Sequence, residues 1–213
     1  MLHAKTTRPI TVSMLHAGAM GAKGNVDPAT VTFKVTDLFN VAAVSGAAAC
    51  IVSFVLAVAF REEPAWPLKN ISQYAATYPA IWFFRFGTAL TGMCTFAIGR
   101  AYINQGSSRK TFGVASMLTG VGVTGAGIVS CVEMNTIHLC FAFVFFVSGG
   151  VLVTNEARYK KSVWMAVSSG MIWLSLIGIA VLAVIGKGRS PLLSIFEWLA
   201  AIVLLTVFFY MGR

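Results

Sequence analysis

The chain has 213 residues, 57% hydrophobic and 11% charged, with a mean hydropathy of +0.80, more apolar surface than a soluble domain of this size can hide. The net charge of +9 does not point to nucleic acid, because the cations sit between apolar blocks and no run of five basic residues occurs. A soluble enzyme and a nucleic-acid partner are therefore excluded, and the cations read as orientation signals of a membrane protein.

Residues 1–36 differ from the rest. They carry Lys5, Arg8, Lys23 and Lys34 with no acid before Asp27, and they lack the continuous apolar core of a secretory signal. Pro9 and the glycines leave the segment weakly amphipathic, so it reads as a flexible basic cytoplasmic tail. Residues 37–213 read as an all-α, polytopic membrane bundle of six transmembrane helices. The apolar blocks run over 38–60, 80–102, 111–132, 137–154, 162–186 and 191–211. Blocks of about 20 residues cross a hydrocarbon core of roughly 30 Å, and no period-two alternation suggests a barrel. Asp37 opens the first block as a helix-start residue.

The connection from Arg61 to Pro79 is the longest outside segment. It holds Asn70-Ile71-Ser72, a glycosylation sequon on the non-cytoplasmic side, although its nearness to the bilayer disfavours modification. Cys50 and Cys94 fall inside blocks as small core residues. Cys131 and Cys140 flank a short connection with room for a disulfide, free thiols being favoured.

The cations set the orientation. Eleven fall on the side of the termini: Lys5, Arg8, Lys23, Lys34, Arg100, Arg109, Lys110, Arg158, Lys160, Lys161 and Arg213. Four fall on the other side, and Arg85 is left inside the second block. Both termini are thus expected in the cytoplasm. Tyr and Trp residues gather at both expected interfaces, Trp82 and Trp198 on one side, Tyr102 and Tyr210 on the other.

Small residues recur every fourth position in the third block, at Ser116, Gly120 and Thr124, and in the first at Ala42, Gly46 and Cys50. In lipid such faces let helix backbones approach closely. They read as internal packing faces first, with a homodimer or another membrane protein as the alternative partner.

Polar groups inside a bilayer are costly, so each needs a reason. Arg85 and Glu197 both lie roughly 9 Å below the non-cytoplasmic surface at a rise of about 1.5 Å per residue. Glu133 and His138 fall near the same level. Arg85, Glu133, His138 and Glu197 therefore form a candidate polar cluster. It either engages a lipid headgroup or moves a proton, or it is a structural Arg85–Glu197 pair with His138 hydrogen-bonded nearby. Catalytic signatures are missing, and neither a metal site nor a cofactor is expected, so the enzyme question stays open and leans towards none.

The stretch from Ile71 and Ser72 to Pro79 resembles the IS-x-x-G-x-x-x-P signature of the Frag/DRAM/Sfk family, which includes the damage-regulated autophagy modulators. Glu197-Trp198 is similar to that family's Glu-Trp pair, His138 to a histidine in several members, and Trp82 with Arg85 to the Trp-Arg of the GPI-remodelling branch. An alanine stands where the family usually has glycine. The resemblance covers roughly residues 38–213 and implies a six-helix, lipid-associated protein. Its leading implication is a non-enzymatic regulator of autophagy, phosphoinositide or membrane-lipid organisation, whose lumenal-side polar cluster engages a lipid headgroup. The alternatives are a component of GPI-anchor lipid remodelling, and a small transporter, which the absence of prolines inside the blocks disfavours. The expected location is the endomembrane system (lysosome, Golgi or endoplasmic reticulum) or the plasma membrane, and membrane lipids are the expected partners.

Overall fold

A long apolar segment in lipid must satisfy its backbone hydrogen bonds internally, and every one of the six blocks is helical. The computed structural model describes residues 9–13, 30–61, 69–104, 109–129, 131–132, 134–185 and 191–213, and these residues form seven helices and one pair of short strands. β1 (Pro9–Ser13) and β2 (Thr30–Lys34) pair antiparallel, with Pro9 opposite Lys34 and Ser13 opposite Thr30. They occupy part of the segment read from sequence as a tail, and its other residues before Thr30 lie outside the described set. Six helices are long and apolar enough to cross a membrane: α1 (Val35–Arg61), α3 (Ala80–Asn104), α4 (Lys110–Ile128), α5 (Asn135–Lys160), α6 (Val163–Val184) and α7 (Pro191–Met211). The protein is a multi-pass membrane protein.

The helices alternate in direction and close a ring in the order α1, α3, α4, α5, α6, α7 and back to α1, with α5 also touching α7. The ring has a terminal end, where α1 begins and α7 finishes, and an opposite, loop end. Asn40 Nδ2 donates to Gly212 O at 3.1 Å and ties the two termini of the bundle together. The α3–α4 contact is the most extensive in the ring. A β-carbon on Gly120 would lie 2.5 Å from Gly92 O and 2.9 Å from Phe96 N, so only glycine lets the two backbones meet there. Ser116 Oγ donates across the same seam to Thr95 O at 2.7 Å. The small-residue face of Ser116 and Gly120 is therefore buried within this chain, with Thr124 half-buried beside it.

Aromatic rings close the terminal end from inside: Phe39 meets Phe112 at 6.5 Å and Phe208 at 5.9 Å between centroids. The buried threonines of α3 need no distant partner. Thr88, Thr91 and Thr95 each donate to the carbonyl four residues back, at 2.6, 2.8 and 2.6 Å.

Two boundaries differ from the apolar blocks by four residues or more. α4 stops at Ile128 instead of running to 132, because Val129 turns to extended backbone (φ −80°, ψ 120°). α5 continues to Lys160 instead of stopping at 154, because Glu156 is buried and paired in its last turns. A further helix, α2 (Ile71–Ala75), folds within the connection read as a loop.

Candidate functional site

A five-residue helix has few internal hydrogen bonds, so α2 depends on its surroundings for the amides of its first turn. Three side chains on one stretch of α7 supply them or fasten the residues before it. The Glu197 carboxylate accepts from the backbone N–H of Ile71 and of Ser72. Ser194 Oγ donates to Asn70 Oδ1 at 2.5 Å, and Trp198 Nε1 donates to Lys69 O at 3.0 Å. Gln73 Oε1 closes the turn by accepting from Asn70 N–H at 3.0 Å. Aromatic packing completes the clasp, since Phe54 lies edge-on to both Tyr74 and Trp198 at 5.0 and 6.1 Å. Asn70, the sequon asparagine, is thus half-buried with its amide oxygen occupied. Pro79, after a cis Tyr78–Pro79 bond, leads from this turn into α3.

Held in this way, α2 covers the loop end of the ring. Beneath it lies a central cavity of about 70 Å³ whose polar lining is Cys50, Ser72, Thr88, Thr91, His138 and Glu197. The deeper wall is apolar and includes Phe145, Leu204 and Phe208. His138 is buried at the start of α5, and its Nδ1 lies 3.0 Å from Val129 O, the carbonyl freed where α4 ends. This bond fixes the ring and leaves Nε2 available.

His138 also lines a second, smaller crevice of about 10 Å³ between α2, α3 and α4. Arg85 is on that crevice, together with Ser72, Phe84, Ala126 and Cys131. Four residues, Ser72, Phe84, Ala126 and His138, therefore belong to both spaces. The Arg85 guanidinium stacks over Trp82 at 5.8 Å from the ring centroid. It makes no ion pair with Glu197, and no carboxylate pairs with it among the described residues. Glu133 lies outside the described residues. Of the four clustered residues, the structure brings His138 and Glu197 to one cavity and Arg85 to the adjoining crevice.

Cys131 Sγ donates to Ser72 O at 3.3 Å and links the α4–α5 connection to α2. Burial pushes its thiol above the usual range, with a smaller opposing contribution from the hydrogen bond to Ser72. All four cysteines are free.

A second polar cluster, not anticipated from sequence, occupies the terminal end. Glu156 is only 3% exposed, and both Arg109 Nη2 and Lys160 Nζ converge on its carboxylate, the latter at 3.1 Å. The Arg109 guanidinium is boxed by Tyr102, Phe112 and Tyr159 at 4.8, 4.4 and 4.3 Å. The signal was present in the sequence as the Glu156–Lys160 spacing of one helical turn, but the polar run around it resembles a loop.

No curated protein and no solved structure matches the chain. The resemblance to the Frag/DRAM/Sfk family is not sustained, because the family whose model matches is a different one. The short patterns behind that resemblance have local roles here. Ile71 and Ser72 present amides to Glu197, and Trp198 fastens Lys69. The match spans residues 44–213, from the first transmembrane helix to the last residue, and the chain belongs to the family described as Protein of unknown function (DUF998).

Proposed function

We propose that this protein is a non-enzymatic, lipid-binding membrane protein whose Arg85, half-buried at the edge of the loop-end crevice, holds the phosphate of a lipid headgroup. One observation carries the reading: Arg85 sits six residues into a transmembrane helix, half-buried, with an aromatic ring but no described carboxylate against it. A guanidinium at that depth calls for an anion, and the phosphate layer of the adjacent leaflet is the nearest source. Trp82, 60% exposed, gives the guanidinium a platform at the interface. The excess of cations around the other end of the bundle favours a cytoplasmic location for the termini, which puts this crevice on the lumenal or extracellular leaflet.

The test is titration of the purified full-length protein in detergent with a short-chain phosphatidylglycerol. A charge-assisted hydrogen bond contributes about 1.5–3 kcal/mol, so Arg85→Gln is expected to weaken binding roughly 10- to 100-fold while leaving the protein monodisperse. Equal affinity in the two proteins would refute the assignment.

A further inference from the structure

Phosphate is common to nearly all phospholipids, and the neighbouring space discriminates among them. From the shared walls of the two spaces we infer that the headgroup is zwitterionic and bears a primary amine, with the phosphate on Arg85 and the ammonium donating to Glu197. The inference rests on the phosphate reading above and adds the second half of the headgroup.

Three features point to it. The crevice carrying Arg85 and the cavity carrying Glu197 share Ser72, Phe84, Ala126 and His138 in their linings, so a cationic and an acidic side chain stand in adjoining spaces. The Glu197 carboxyl accepts two backbone amides, and its oxygens have lone pairs for more, since a carboxylate offers about four acceptor sites. The cavity, at about 70 Å³, suits a short aminoethyl arm and is too small for an acyl chain. The acyl chains have their own place outside the ring. A groove of about 460 Å³ runs along α1 and α3, lined by Val41, Val44, Ala48, Val52 and the exposed Phe83 and Phe86. Phe83 and Phe86 border it at the loop end, on the face of α3 turned towards α1, while Arg85 is on the face turned towards α2 and α4.

The test compares phosphatidylethanolamine, phosphatidylglycerol and phosphatidylcholine with identical short chains, titrated against the full-length protein. Phosphatidylethanolamine is expected to bind about tenfold more tightly than either of the others, the gain of one charge-assisted hydrogen bond. Phosphatidylcholine keeps the positive charge but has no N–H to donate, so parity between it and phosphatidylethanolamine in the unmodified protein overturns the inference without any mutation. Glu197→Gln keeps an acceptor oxygen for the Ile71 and Ser72 amides. It is expected to erase the preference of phosphatidylethanolamine over phosphatidylglycerol; a preference that survives it also overturns the inference. Arg85→Gln should weaken all three lipids. If it weakens none, the phosphate reading itself falls, which separates the two failures. Glycerophosphoethanolamine carries the headgroup without chains, and binding as tight as that of the lipid would identify a soluble phosphoester as the ligand and overturn the lipid assignment.

Discussion

Two carboxylates inside the spans are stabilised in opposite ways. Glu156 is met by two cations, whereas Glu197 is met by two backbone amides. Truncating one partner of a buried ion pair leaves the other charge desolvated, which costs about 3–5 kcal/mol. Glu156→Ala is therefore expected to lower the thermal midpoint sharply in detergent, and Glu156→Gln by less, since it keeps an acceptor for Arg109. At Cys131 the raised thiol pKa means less thiolate at any given pH. Its alkylation by a water-soluble maleimide should be slower near neutrality than that of a free thiol and should level off at a higher pH than that thiol does. A pH–rate profile that coincides with that of a free thiol would contradict that environment. At this scale the sequence was informative where a polar residue stands alone in an apolar block, as with Arg85, His138 and Glu197. It was uninformative for Glu156, whose neighbours Thr154, Asn155 and Arg158 look like a loop until tertiary burial extends α5 over them.

Among the elements, α2 depends most on others. Its position is set by Ser194, Glu197 and Trp198, which share one face of α7 at helical spacing. Trp198→Phe removes the donor to Lys69 O and keeps the ring, so it is expected to cost about 1 kcal/mol. Hydrogen–deuterium exchange should show faster exchange over residues 70–76 and unchanged protection in α4. Uniform loosening would mean that the indole packs the bundle instead of fastening α2. The α3–α4 seam responds differently: Gly120→Val drives a side chain into Gly92 O, and a severe loss of monodisperse protein is expected. The six spans were legible because length and hydropathy suffice for helices in lipid. α2 was not, because its five residues are held by α7, more than a hundred positions later, and no local pattern encodes that distance.

Across the whole molecule, the ring of helices is closed by aromatic packing at the terminal end and by α2 at the loop end, with the cavity between them. Membership of the DUF998 family covers all of this architecture except the strands and the first turns of α1. The cation distribution predicts cytoplasmic termini, so a C-terminal reporter is expected to be accessible only from the cytoplasmic face. The central claim is that this bundle holds a phospholipid through Arg85. Native mass spectrometry of the protein released from mild detergent tests it most directly. The account predicts a retained adduct with the mass of a phospholipid on the unmodified protein and its loss, or a large reduction, on Arg85→Gln. An unmodified protein without such an adduct, or an Arg85→Gln variant that retains it in full, would contradict the account.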